Sequence, residues 1–238
     1  MVTTDDRHQF RLALVKTAPL ALGCIPFGIA YGILAVQAGL TVAETMLMSL
    51  VVFAGASQFI AVVMLQAGAG IPLIVASTLL VNLRHLMMGL SLSPYLTRST
   101  PKWQRILAFA MTDESYVTSV THYRESAEEQ GNPWFMLGSG GSIYVVWALA
   151  SLVGALAGHA IDDPLKWGLD FAMPATFLTM LVGQIVSKRV ALVVATSALV
   201  ATAAFVLIPG KWYIILSVVT ATVVGVVLET VAEKKAAA

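Results

Sequence analysis

The chain has 238 residues, 58% of them hydrophobic and only 11% charged, with a mean hydropathy of +0.84. An ordinary soluble domain carries about 25% charged residues, so this composition excludes one. The net charge of +1, without a long basic or acidic block, gives no reason to expect nucleic acid as a partner. Successive apolar runs of about 20 residues match the length a helix needs to cross hydrocarbon, and the alternation of a membrane barrel is absent. The expected fold is an all-α membrane protein, one polytopic bundle of seven, alternatively eight, transmembrane helices over residues 1–238.

The first ten residues contain acids and lack an apolar core with a small-residue cleavage site, so the first apolar segment is expected to stay in the mature protein. Arg7 to Ala18 mixes charge with Phe10, Leu12, Leu14 and Val15, which predicts an interfacial lead-in helix. The first span follows at about Pro19 to Ala38. Pro26 inside it predicts a kink or break, and Gly28 and Gly32 predict a close helix contact. Cys24, the single cysteine, excludes an internal disulfide and is read as a small packed hydrophobe.

The second span is predicted at about Thr45 to Gln66, centred on Ala54-Gly55-Ala56-Ser57-Gln58-Phe59. Its small residues admit a neighbouring backbone, and Gln58 needs a partner, either another helix or a substrate. The third span, Ile71 to Thr97, holds Asn82, Arg84 and His85 near its middle. An arginine there costs at least about 2.5–3.5 kcal/mol on insertion scales, so it must face protein, a ligand or water. Thr78, Asn82, His85, Gly89 and Ser93 fall on one helical stripe, and Ser77, Arg84 and Ser91 on a second. Both stripes should turn away from lipid.

Ile106 to Thr121 is barely long enough to span and carries Asp113 and Glu114 at its centre, which requires protonation, water or a cation such as Arg84. The polar loop Arg124 to Asn132 then separates two halves, about 19–123 and 133–232. Later apolar runs lie at about Leu137–Gly158, Leu169–Ser187, Val190–Leu207 and Trp212–Thr230. Trp134, Trp147, Trp167, Trp212 and Tyr213 mostly sit near run ends, as interfacial aromatics do. A shift of 118 residues aligns Gly23, Ile25, Ala30 and Leu34 with Gly141, Ile143, Ala148 and Leu152, and Phe53, Ala54, Phe59 and Gln66 with Phe171, Ala172, Phe177 and Gln184. Such a weak repeat is a transporter signature.

Orientation turns on whether Ile106 to Thr121 crosses. In either case the loop lysines and arginines divide eight to five, so the positive-inside rule does not choose. Both alternatives put the Lys188-Arg189 loop and the C-terminus in the cytoplasm. The expectation adopted is seven crossings, with the N-terminus outside, inverted halves and a buried, partly re-entrant acidic segment.

Ser57, His85 and Asp113 could be read as a hydrolase triad, but Gly55-Ala56-Ser57-Gln58-Phe59 lacks the second glycine of a nucleophile elbow. His85 with Asp113 and Glu114 lacks paired metal-ligand spacing. No enzyme activity, metal or cofactor is expected. A transporter of zwitterions uses the same residues better: an anion-binding group for the carboxylate, an acceptor for the ammonium and an apolar pocket for the side chain. Arg84 suits the first role, while Asn82, Gln58, Asp113 or Glu114 suit the second. Asp113, Glu114 and His85 are the candidates for proton coupling.

Pro26-Phe27-Gly28, Ala54 to Phe59 (AGASQF), Asn82 to Gly89 (NLRHLMMG), Thr112-Asp113-Glu114 and Pro174-Ala175 with Phe177 resemble the AzlC/YgaZ family, the large subunit of bacterial branched-chain amino acid exporters. The resemblance runs in order over nearly the whole chain. It implies proton-driven export of valine, leucine or isoleucine, with methionine as a further candidate, across the inner membrane, and a short hydrophobic AzlD/YgaH-type second subunit. The matched residues Pro26, Ser57, Gln58, Asn82, Arg84, His85 and Pro174 form the candidate substrate site. Met87-Met88 departs from relatives that often carry an aromatic before the glycine, which bears on substrate identity. The competing expectation is a scaffold or sensor subunit whose polar residues only lock helices together.

Overall fold

A computed structural model describes residues 4–97, 99–126, 131–160, 178, 181, 182, 185, 187–209 and 212–236. It divides into two units, Met1–Asp170 and Phe171–Ala238. The regular structure among the described residues is helical, as expected for an all-α membrane protein. Five helices there are long and apolar enough to cross a membrane: Thr4–Gln37, Ile71–Leu96, Pro133–Gly158, Lys188–Leu207 and Ile215–Ala232. Of the seven anticipated, the run from Leu169 falls mostly outside the described residues, and the run from Thr45 is not one helix.

Helix α1 (Thr4–Gln37) is continuous. The lead-in segment and the first span are therefore one element, and neither Pro19 nor Pro26 ends it. Proline removes one backbone bond but leaves the rest of the ladder, and packing along a neighbour holds such a helix together. That neighbour is α7 (Pro133–His159). Gly28 lies against Ala150, Gly32 against Ser151 and Ala155, Gly154 against the Ile29 backbone and Gly158 against Ile33. Thr17 donates to Ser139 at 2.8 Å. The paired numbers rise together, so α1 and α7 run parallel. Small residues at the seam bring the backbones into contact, as the glycine spacing predicted.

Helix α2 (Val42–Leu47) opens with a Thr41/Glu44 capping box and runs into a π-helical turn, Met48–Val52. Phe53 then takes a left-handed conformation, φ 43°, and the chain restarts as α3 (Gly55–Gln66). Tyr31 shows the direction of both arms: its hydroxyl bonds the Thr45 carbonyl at 3.2 Å, and its ring meets Phe59 edge-on at 5.9 Å. The segment therefore enters and leaves at the same level of α1. The anticipated second span is corrected to a hairpin that turns back at Phe53-Ala54. Each arm of about a dozen residues reaches roughly 18 Å, short of about 30 Å of hydrocarbon.

Helix α4 (Ile71–Leu92) returns across the unit and ends in a 3₁₀ turn at Ser93–Leu96, where the Tyr95 ring meets Tyr123 at 5.6 Å. A second hairpin follows, α5 (Pro101–Phe109) and α6 (Asp113–Glu125), turning at Ala110 to Thr112. Trp103 packs on Trp134 at the start of α7, and Ala110 lies against Gly140 further along it, so α5 runs inward. Helix α6 runs back out, from the contact of Glu114 with Cys24 to that of His122 with Lys16 at 3.3 Å. Thr112 and Ser115 cap its first turn reciprocally. The acidic segment is re-entrant.

Because both interrupted segments turn back on themselves, α1 and α7 start at the same end of the unit. The inverted halves expected from seven crossings are corrected on this point. The end where α1 and α7 begin carries Arg7, Arg11, Lys16, Lys102, Arg105 and Arg124, whereas the turns 38–41 and 67–70 at the opposite end hold no lysine or arginine. In the second unit, α8 (Lys188–Leu207) and α9 (Trp212–Ala236) form an antiparallel pair, joined by Arg189–Glu229 at 2.8 Å and by Phe205 on Tyr213.

Candidate functional site

The two hairpins enter from opposite ends, and their turns meet. Phe53 from the first lies 6.1 Å from Phe109 of the second, and the Tyr144 ring of α7 touches both, at 4.8 and 5.9 Å. A left-handed phenylalanine is costly, at about 1–3 kcal/mol, and persists only where packing fixes it. Phe53 is 5% exposed within this aromatic group. The interruption frees the first turn of α3, which has no side-chain cap.

Helix α4 passes beside both turns, and its polar stripes face inward as expected except at Ser93, which is exposed at the helix end. Leu79, Leu83, Leu86 and Leu90 are exposed, whereas Asn82, Arg84 and His85 are half-buried. Arg84 Nη2 pairs with Asp113 Oδ2 at 2.9 Å, the partnership anticipated for the acidic segment. A second contact follows from the same register: two turns along the same stripe, Ser91 accepts from the Tyr116 hydroxyl at 3.1 Å. Toward the first hairpin, Ser57 donates to Asn82 Oδ1 at 2.8 Å. His85 Nδ1 lies 3.3 Å from the Asn82 carbonyl. Arg84 Nε is buried with no hydrogen-bond partner among the described residues. A buried donor left unpaired is expensive, so the guanidinium that pairs with Asp113 also carries an unmet donor.

The structure thus places two groups on α4: Ser57 with Asn82 and His85 on one stripe, and Arg84 with Asp113 on the other. Glu114, one residue beyond Asp113, turns toward the Cys24 thiol of α1. Gln58 is fully buried and committed elsewhere: Nε2 donates to Ser49 at 3.1 Å, Oε1 accepts from Trp147 Nε1 at 3.1 Å, and Ser49 donates on to Ser151 at 2.9 Å. Pro26 is exposed on α1, away from these bonds. Pro174, with Phe171 to Phe177, lies outside the described residues. Ser57, His85 and Asp113 do not form a relay, since Ser57 bonds Asn82 and Asp113 bonds Arg84. Among the described residues no three His, Cys, Asp or Glu side chains are grouped as metal ligands. Sequence reasoning missed the Ser49–Gln58–Trp147 group. Its one signal was a serine within the apolar arm before the AGASQF motif.

A family model described as AzlC protein matches residues 19–161, the stretch that builds both hairpins, α4 and the α1–α7 seam. The chain belongs to the AzlC family. It is 31% identical to the branched-chain amino acid transport protein AzlC of Bacillus subtilis (strain 168), over 87% of this chain and 80% of that protein. It is 27% identical to the inner membrane protein YgaZ of Escherichia coli (strain K12), over 72% and 71%. An uncharacterized membrane protein of Archaeoglobus fulgidus is 33% identical over 80% and 82%. No solved structure matches. The AzlC match spans the AGASQF, NLRH and Thr112-Asp113-Glu114 motifs, so membership rests on the segments that form the site.

Proposed function

We propose that this AzlC-family chain carries branched-chain amino acids, valine, leucine or isoleucine and at the upper size limit methionine, outward across the bacterial inner membrane in exchange for protons, together with a short hydrophobic AzlD/YgaH-type subunit. The observation that carries the reading is the Arg84–Asp113 pair beside the meeting point of the two hairpins, with one guanidinium nitrogen unmatched. A zwitterion has the two charges needed to enter that pair. Its carboxylate takes Arg84, its ammonium takes Asp113, and Ser57 and Asn82 supply neutral hydrogen bonds. Both charges are then matched on each side of the exchange, which keeps the cost of a charged solute inside the membrane low. Glu114, not engaged by Arg84, and His85 are the groups assigned to carry the proton. The name of the Bacillus relative supports the substrate class.

Orientation follows from the positive-inside rule applied to the hairpin topology. With both interrupted segments turning back, Arg7, Arg11, Lys16, Lys102, Arg105 and Arg124 collect at the end where α1 begins, and on this reading that end is cytoplasmic. On this reading the N-terminus is inside, opposite to the seven-crossing expectation. The paired ends of α8 and α9, with Lys188, Arg189 and Lys234, are cytoplasmic by the same rule, and so is the C-terminus.

The test is labelled leucine in proteoliposomes containing the chain with and without its small subunit, under an imposed pH gradient. Exchange that collapses in Arg84→Ala is expected. A scaffold or sensor subunit is favoured by one observation, the full internal satisfaction of Gln58. Absence of exchange in every combination would establish that alternative over transport.

A further inference from the structure

The two stripes of α4 have different neighbours. Arg84 and Ser91 are latched to α6 through Asp113 and Tyr116. The other stripe, Asn82, His85, Gly89 and Ser93, is bonded to the first hairpin at Asn82 and further along borders a cavity of about 280 Å³. That cavity is walled by Gly89 and Leu92 of α4, Leu107 of α5, Met111 of the second hairpin's turn and Met136 of α7. Ser93 and Gln104 line it near the basic end of the unit, where α4 finishes and α5 begins. No acidic or basic side chain lines it.

We infer that this cavity is the vestibule through which the substrate reaches Arg84 and Asp113 from the basic end, and that it receives the aliphatic side chain, with Gly89 and Met111 setting the largest one accepted. The inference rests on the transport reading above and adds the side-chain subsite. Two connections support it. Gly89 lies one helical turn from His85 on the stripe that also carries Asn82, so the cavity lies along the hydrogen-bonding face of α4, beside the stripe that carries Arg84. Met111 stands two residues before Asp113, so one short turn supplies both the wall and the carboxylate. Pockets for drug-sized ligands are about 300–1,000 Å³, and this smaller one suits a group of a few carbons. Its uncharged lining penalises lysine, arginine or glutamate side chains, which would bury an unpaired charge.

Gly89 offers the handle. A Cβ there meets only the Met111 methyl, at 3.9 Å, so alanine enters without displacing the wall, whereas leucine at this position fills the cavity. The experiment measures labelled alanine, valine and leucine flux in membrane vesicles holding the full chain and its subunit. Gly89→Leu should lower leucine flux relative to alanine flux at least about tenfold, the discrimination that a methylene or two commands in an apolar pocket. Gly89→Ala should shift the ratio in the same direction by less. Equal loss of all three substrates, or an unchanged ratio, overturns the inference while leaving transport intact. Wild-type vesicles without flux remove the transport reading, and this inference with it.

A second readout keeps the test independent of how Gly89→Leu folds. In Gln104→Cys, a membrane-impermeant maleimide applied from the cytoplasmic side should label the new thiol. Added leucine should slow that labelling several-fold and added arginine should not. The wild type is the blank, because its only cysteine, Cys24, is buried. Labelling that leucine does not slow overturns the proposal.

Discussion

The two hairpins have the same plan and opposite chemistry. The one entering from the end opposite the basic residues, α2 with α3, is held by groups that satisfy one another: Trp147 to Gln58, Gln58 to Ser49, Ser49 to Ser151. The one entering from the basic end, α5 with α6, brings Asp113 and Glu114 to its turn and contacts α4 through an ion pair whose side chains are 35% and 39% exposed. Within the first hairpin the buried Gln58 group is fully matched, and only Ser57, bonded to Asn82, is left within reach of α4. A hairpin that holds an arginine by a single partly exposed pair can exchange that bond for another. The difference separates a fixed half from a working half.

Breaking the working half should give the largest effect. Arg84→Ala and Asp113→Asn are each expected to lower leucine flux at least about a hundredfold, equivalent to about 2.7 kcal/mol of lost stabilisation, while the chain still accumulates in the membrane. Undiminished flux in both variants ends the proposed division of labour. Breaking the fixed half should show instead in stability. Gln58→Leu strands the Trp147 N–H and a Ser49 bond in a buried setting and should cost about 2 kcal/mol, read as a lowered melting point in detergent. Flux per folded molecule should hardly change. If flux disappeared with the melting point intact, Gln58 would belong to the working half after all.

Ser57→Ala sharpens the boundary between the halves, because Ser57 is the side chain of the first hairpin bonded to Asn82. Losing a neutral hydrogen bond of about 1 kcal/mol should weaken apparent leucine affinity several-fold without abolishing transport. The smallest effect is expected at the solvent-facing start of α2. There the Thr41 N–H and hydroxyl hold the Glu44 carboxyl below its ordinary range. A depressed folded pKa contributes stability above the unfolded value, which is lost as pH falls through the folded one. Glu44→Gln should therefore melt slightly below the wild type at neutral pH, and the two should converge in acid.

Much of this arrangement could be read from residue types alone. An arginine and two acids stranded in apolar runs had to find each other, and Arg84 with Asp113 did. Gly28 and Gly32 called for a helix at close range, which α7 provides. The hairpin at Phe53 was hidden because its two arms together are as apolar as a lipid-facing helix, so the 22 residues from Thr45 to Gln66 imitate a span. Its interruption depends on Phe109 and Tyr144, residues distant in the chain whose rings fix the left-handed turn. Orientation was lost with it, since the balance of lysine and arginine depends on how often the chain crosses. The commitment of Gln58 to Trp147, 89 positions away, likewise has no local sign.

The seam of α1 and α7 constrains how such a molecule can move. At Gly32 and Gly154 the two main chains touch with no side chain between them, and sliding either helix would drive carbonyls together. The pair therefore acts as a stator. Helix α4 is tied to its surroundings by Asn82, Arg84 and Ser91, packs Met88 and Leu92 into the core beside Leu107 and Met111, and presents leucines outward on its remaining face. On the transport reading proposed above, a helix held by a few exchangeable polar bonds and one apolar patch, beside a post that does not shear, is the element expected to rock when a solute replaces one of those bonds.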